Sequence, residues 1–262
     1  MNDVKKKVAI CFFGLTRSLK KTIHSIESNI FQILINHNIE YDIYLHTYDI
    51  TLLTNSRSNE YNCKLDTDEW KLLKPNYYSI TNQTTFDNNY DWNFLKKQGD
   101  KWNDGFQSTR NAIRQLNSIK EVTKLWINKH PYKYYLYFRP DLLYVTPLNI
   151  KNIRDKIDKP NTIVVPSWGN YLNGVNDRIA FGDYNTMRHY GNRIVHIPRL
   201  YKRVVGSIKK PYHSERYLLK IIKHFKIKIT FCDMKAIRMR ANYKYNPIDY
   251  KYFGKYITLN AS

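Results

Sequence analysis

The sequence predicts a three-layer α/β/α domain built on a mainly parallel central sheet, and three observations lead to it. Apolar runs without alternation, such as KVAICFFG at residues 7–14, suit strands buried on both faces, as in parallel sheets covered by helices. Other segments carry apolar residues at three- and four-residue steps, the period of a helix with one buried face. The two kinds alternate along the chain. Strand, helix and strand within the first fifty or so residues make a βαβ unit, whose crossover is right-handed.

Each element follows in order. Residues 7–14 form the first strand and end in Gly14. Leu19, Ile23, Ile26, Ile30, Ile33 and Leu34 mark an amphipathic helix over 17–36, and YDIYLHTY at 41–48 is the second strand. Residues 51–66 and 82–105 are rich in Asn, Asp, Ser and Thr and read as long surface loops, where function often resides. Between them, Thr67 caps a short helix over 68–73, and 77–80 is a short strand. Ala112, Leu116, Ile119, Val122 and Trp126 set the buried face of a helix over 107–129, followed by an aromatic strand over 132–138. Further strands are expected at 162–165, 178–181 and 227–231. Residues 184–205 read as mainly helical despite Gly191 and Pro198. Ser214 is the expected N-cap of a helix running to Phe225, with Glu215 in its first turn. No linker, repeat or composition break divides the chain, so 1–262 reads as a single domain.

Composition narrows the function classes. With 262 residues and 42% apolar content, the chain can bury one large core. Lys and Arg number 43 against 22 Asp and Glu, a formal charge of +21. That excludes an acidic solvating chain and points to anionic partners: nucleic acid, a phosphorylated small molecule or an anionic membrane surface. Cys11, Cys63 and Cys232 lack CxxC spacing, so neither a disulfide framework nor a Cys-based zinc site is supported, and a reducing compartment is expected. The apolar run Val8 to Leu15 is short, is followed by Arg17, Lys20 and Lys21, and lacks a small-residue cleavage site. It reads as a strand and not a leader, and no stretch approaches the length that spans a bilayer. HExxH, GxSxG and zinc-finger spacings are missing. GNYLNGV at 169–175 has two Walker-type glycines but Val175 in place of the lysine, which removes the ground for ATP hydrolysis and serine-esterase chemistry.

The stretch YKYYLYFRPDLLYVTPLN, residues 132–149, is the most informative, because an apolar strand stops at Arg139-Pro140-Asp141. Ligands of open α/β sheets bind beyond the carboxyl ends of strands. Pro140 fixes its own φ and favours an extended Arg139, holding cation and carboxylate in a defined relation. Arg suits bidentate phosphate binding and Asp a hard divalent ion; equally, the two could simply pair with each other. CFFGLTRS, residues 11–18, lies at the first strand-to-helix turn. Gly14 there permits close backbone approach, Thr16 offers a hydroxyl and Arg17 joins a helix N-terminus that favours anions; otherwise Gly14 is a turn residue and Arg17 is solvated. His46, Thr47 and Asp49 end the second strand, where a carboxylate accepts from ribose hydroxyls or caps a loop. NDRIAFGD at 176–183 sets Asp177 and Arg178 before a strand, either to bind sugar hydroxyls or as a surface ion pair. PYHSER at 211–216 opens a helix with His213 and Glu215, candidates for a metal shell and for a sugar or base role, against plain capping.

In their order and spacing, CFFGLTRS, YLHTYD, FRPDL, NDRIAFGD and HSERYL resemble a GT-A-type glycosyltransferase, of the group found in giant DNA viruses and bacterial surface-polysaccharide loci. The resemblance covers roughly residues 7–240. It implies a GT-A-like, Rossmann-like fold, with 1–145 as the nucleotide-sugar-binding half and 146–262 as the acceptor-binding half. It implies a donor site at Gly14, Thr16, Arg17, Asp49, Arg139 and Asp141, with a UDP-sugar first among donors and a glycan or glycoconjugate as acceptor. The superfamily's Asp-x-Asp motif holds manganese or magnesium on the diphosphate; Asp141 matches its last Asp, while Arg139 stands in place of the first. A Mn2+ or Mg2+ ion on Asp141 and His213 is therefore an expectation that this departure opens to question, since Arg139 could itself neutralise the diphosphate. An inverting enzyme also needs a base: Asp177 is the first choice and Glu215 the second. As a cleft-edge carboxylate, Asp141 should be replaceable by Ala with loss of turnover and an intact fold. Polysaccharide biosynthesis in the cytoplasm, or in a host cytoplasm or virion, is the setting implied. The alternatives are a basic nucleic-acid-binding protein, suggested by charge and by 23 Tyr that could stack on bases, and an inactive carbohydrate-binding relative. Against nucleic acid stand dispersed Lys and the absence of a binding motif.

Overall fold

A computed structural model describes residues 7–129, 132–201 and 211–259. The first strand is β1 (Val8–Phe13). Helix α1 (Leu19–Ile26) runs on through a π segment, Glu27–Phe31, and a last turn, Gln32–Asn36. Next come β2 (Tyr41–Asp49), the hairpin β3 (Leu52–Asn55) and β4 (Glu60–Lys64), and β5 (Tyr77–Asn82). Short helices α2 (Gln83–Asn89) and α3 (Asn93–Lys97) precede the long helix α4 (Gln107–Trp126). Beyond it lie β6 (Tyr134–Phe138), β7 (Leu142–Tyr144), α5 (Ile150–Ile157), β8 (Thr162–Pro166), β9 (Ile179–Gly182) and α6 (Tyr184–Gly191). The chain closes through α7 (Ser214–His224), β10 (Lys228–Cys232), β11 (Ala236–Arg238), α8 (Pro247–Phe253) and α9 (Lys255–Leu259).

Seven strands make the central sheet in the order β10-β8-β9-β6-β1-β2-β5. Its pairs are parallel except those of β9, which runs antiparallel to both β6 and β8. The period-2 geometry of a strand sends alternate side chains to opposite faces, and β1 supplies both cores. Val8, Ile10 and Phe12 pack with Leu19, Ile26 and Leu34 of the α1 segment and with Ile153 and Ile157 of α5. Ala9, Cys11 and Phe13 pack with Ile119, Val122 and Trp126 of α4, Met187 of α6 and Leu218 of α7. Burial of β1 at every position explains why it reads as one apolar run. The architecture is thus the three-layer, mainly parallel α/β arrangement expected.

Several expectations need correcting. The polar stretch 51–66 contains the β3–β4 hairpin, and 82–105 contains α2 and α3. The hairpin's faces carry little periodic apolar signal because only Leu53 and Glu60 are buried there. The short 3-10 helix Glu69–Leu73 starts after Asp68, not Thr67, and α7 has His213, not Ser214, at its N-cap. After α6 the helical stretch tightens to a 3-10 segment, Asn192–His196, and then widens to a π segment, Ile197–Tyr201; the expected continuation over 202–205 lies outside the described residues.

Candidate active site

The carboxyl ends of β1 and β6, the N-termini of α4 and α7, the β3–β4 hairpin and the segment after β11 surround a cleft of about 660 Å³. Its floor is a chain of alternating charges. Arg17, in the β1–α1 turn, donates from Nη2 to Asp141 Oδ2 at 2.8 Å and from Nη1 to Glu60 Oε2 at 3.2 Å. Arg139 grips the same Asp141 with two bonds, Nε to Oδ1 at 2.8 Å and Nη2 to Oδ2 at 2.6 Å. Its third nitrogen, Nη1, donates to Gln115 Oε1 of α4 at 2.8 Å, and Gln115 Nε2 donates to Asp177 Oδ2 at 2.9 Å. Arg178 then lies between carboxylates, with Nη1 3.7 Å from Asp177 Oδ1 and Nη2 donating to Glu215 Oε1 at 3.0 Å. His213 Nδ1, 3.3 Å from Glu215 Oε2, ends the chain.

These pairs are buried, so their charges act through a low dielectric and move ionisation strongly. Burial alone would raise the Asp141 carboxyl, but the guanidiniums of Arg139 and Arg17 hold it well below the usual carboxylate range. Burial would likewise lower Arg139, yet Asp141 raises it. Glu215 has no such excess of positive neighbours. Burial, together with the charge of Asp177 and against that of Arg178, pushes its pKa up to about 7. Burial also lowers the His213 imidazole, with Asp177 partly opposing it.

The structure brings Arg17, Arg139, Asp141, Asp177, Glu215, His213 and Gly14 to one cleft. The Gly14 N–H donates to Ser118 Oγ at 2.7 Å, so the turn is fixed to α4. Two expected donor residues are elsewhere. Thr16 is buried and its carbonyl accepts from the Leu19 N–H at 3.0 Å, a helix-starting role. Asp49 is exposed at the end of β2; neither lines the cleft. His46, at 0% exposure, is a core residue bonded to Ser118 and Thr81. Asp141 is no cleft-edge group either: it is 2% exposed and both its oxygens hold guanidiniums. Removing one partner of such a buried pair costs about 3–5 kcal/mol, so the expectation of an intact fold in Asp141→Ala is withdrawn. Pairing between Arg139 and Asp141 and a position in the cleft turn out to be compatible.

Several residues of the site escaped the sequence, among them Gln115, Arg238 and Arg240 in the cleft lining and Glu60 behind it. Glu60, at 0% exposure, accepts from Arg17, from the Ala241 N–H at 2.7 Å and from Ser58; it sits in a polar segment with no periodicity. Gln115 is one polar residue among many on α4. Arg238 ends β11 and Arg240 follows it, and Arg238 is neutralised by Asp249 through a bidentate pair at 2.6 and 2.8 Å. Among the described residues, the one carboxylate within 4.0 Å of the Arg240 guanidinium is Glu60, through Oε2. The one advance signal was the basic run IRMRANYK at 237–244.

The donor set does not suit the expected divalent ion. Asp141 is saturated by two arginines, His213 belongs to the Glu215 end of the chain, and among the described residues no three His, Cys, Asp or Glu side chains gather as a metal-ligand group. A dication at Asp141 would have to displace guanidiniums and then lie beside them.

No protein-family profile matches the sequence, and no curated protein matches it. Among solved structures, the chain is similar to core-mannan synthase A from Aspergillus fumigatus in its Mn/GDP form, at 12% identity, over 90% of this chain and 75% of that one, with a TM-score of 0.49. It is also similar to mouse xyloside xylosyltransferase 1 in its apo form, at 10% identity, over 86% of this chain and 84% of that one, with a TM-score of 0.43. Among the described residues no helix is long and apolar enough to cross a membrane.

Proposed function

We propose that the chain is a GT-A-type glycosyltransferase, moving a sugar from a nucleoside-diphosphate donor to a hydroxyl of a glycan or glycoconjugate. One observation carries the reading: a single cleft holds a guanidinium-rich end, at Arg17 and Arg139, and a buried carboxylate, at Glu215, whose pKa is raised by burial and by the charge of Asp177. Glycosyl transfer needs both. As the bond between the anomeric carbon and the phosphate oxygen breaks, its electron pair passes to the diphosphate, and fixed cations stabilise the growing negative charge. The acceptor oxygen forms the new bond to the anomeric carbon, and its proton passes to the base.

A general base works best with a pKa near the operating pH, and the upward shift of the buried Glu215 carboxyl favours it as that base over Asp177, the first choice from the sequence. Asp177 accepts from Gln115 and faces Arg178, which suits it to orient its neighbours and to raise Glu215. In this reading residues 1–145 supply most of the diphosphate contacts and 146–262 the base and the acceptor side. Tyr44, Tyr135, Tyr137, Tyr144, Tyr190, Tyr212 and Tyr217 are fully buried, which takes them out of any base-stacking surface and weakens the nucleic-acid alternative.

The test is a panel of UDP-, GDP- and dTDP-sugars, with and without manganese, read by release of the nucleoside diphosphate. Release from at least one donor is expected. Absence of both release and binding across the whole panel would overturn the proposal.

A further inference from the structure

We infer that the chain holds its donor's pyrophosphate without a divalent ion, on a cradle formed by the guanidiniums of Arg17, Arg139 and Arg240 around Asp141. This rests on the glycosyl-transfer reading and specifies its cofactor requirement. At this end of the cleft three guanidiniums face two carboxylates, Asp141 and Glu60, which are already shared among them. The positive charge is in excess before any ligand arrives.

Two features support a ligand at this end of the cleft. Arg17 has a side chain only 7% exposed, yet among the described residues its Nε has no hydrogen-bond partner; an unpaired buried donor of this kind costs stability unless something completes it. Arg240 lines the same cleft, with a side chain 15% exposed and, among the described residues, no carboxylate nearer than the 4.0 Å contact to Glu60. Burial and the adjacent Arg17 and Arg238 lower its pKa to about 10, against the pull of Glu60 and Asp141. An anion relieves that repulsion, whereas a dication would add to it. Guanidiniums match phosphate oxygens in bidentate geometry and remain charged throughout the reaction. They can therefore take over the electrostatic task that a metal performs on a departing diphosphate.

The experiment measures UDP, GDP and inorganic pyrophosphate binding by calorimetry, in excess EDTA and again in excess Mn2+. Affinity for one nucleoside diphosphate that is the same within about twofold in both buffers is expected. Arg240→Gln should weaken binding in EDTA by roughly tenfold or more, and Arg240→Lys should recover part of it, with thermal melting used to confirm that each variant is folded. Binding that requires Mn2+ would overturn the metal-free cradle and leave the glycosyl-transfer reading standing. Unchanged affinity in folded Arg240→Gln would remove Arg240 from the cradle. Failure of all three ligands in both buffers would overturn the glycosyl-transfer reading itself.

Discussion

Glu215 lies 3.0 Å from a guanidinium nitrogen and still has a raised pKa, because burial and Asp177 outweigh Arg178. The sign of the pH effect follows. A base must be deprotonated to accept a proton, so kcat/KM should fall on the acid side of pH 7, by about tenfold per unit once well below the pKa. Removing the negative charge of Asp177 lowers the pKa of its neighbour. In Asp177→Asn that acid limb should therefore move to lower pH with turnover retained, while Glu215→Gln should lose turnover and keep donor binding. The reverse pattern, with Asp177→Asn inactive and Glu215→Gln active, would make Asp177 the base. The sequence put Asp177 first and Glu215 second; the proposed mechanism reverses that order on the burial of Glu215 and the nearby charge of Asp177, neither of which shows in the sequence.

At the scale of elements, the loop before β9 meets the N-terminus of α7 through Gly174. A Cβ there would sit 2.4 Å from the Glu215 backbone carbon and 2.6 Å from the Arg216 nitrogen, and the Val175 N–H donates to the Glu215 carbonyl at 3.0 Å. Gly169, in the left-handed region at φ +70°, leaves room for Arg178 and Asn176. The two glycines that imitate a Walker sequence thus press a loop onto a helix. A Cβ in Gly174→Ala must displace the loop or the Glu215–Arg216 backbone that it meets. Overpacking of this kind costs about 1–3 kcal/mol, visible in urea unfolding, and kcat should fall more than donor affinity because that backbone carries the base. Wild-type kcat in this variant would show that the loop does not set the position of Glu215. Strand and helix periods made β1, α1, β2, α4 and β6 legible, and with them the turns bearing Arg17 and Asp141. The largely exposed β3–β4 hairpin and the three-residue β11 were not, and they bring Glu60 against Arg17 and Arg240 to the cleft.

For the molecule as a whole, a formal charge of +21 means that folding gathers like charges into a small volume. Dissolved salt screens both this self-repulsion and the attraction for an anionic ligand. Moving from low to moderate ionic strength should therefore raise the melting temperature of the free protein while weakening its affinity for UDP. A melting temperature that falls with salt would mean that local ion pairs outweigh the net charge. The sheet order, set by contacts between strands far apart in sequence, could not be read from the chain, although its parallel character could. The alternating ladder along the cleft floor has one more consequence. Each carboxylate already has an internal partner, so a visiting chloride offers little in exchange for disturbing them. A pyrophosphate brings several negative oxygens to one spot, so on the proposed cradle it should bind in preference to chloride, which competition by added chloride salts would check.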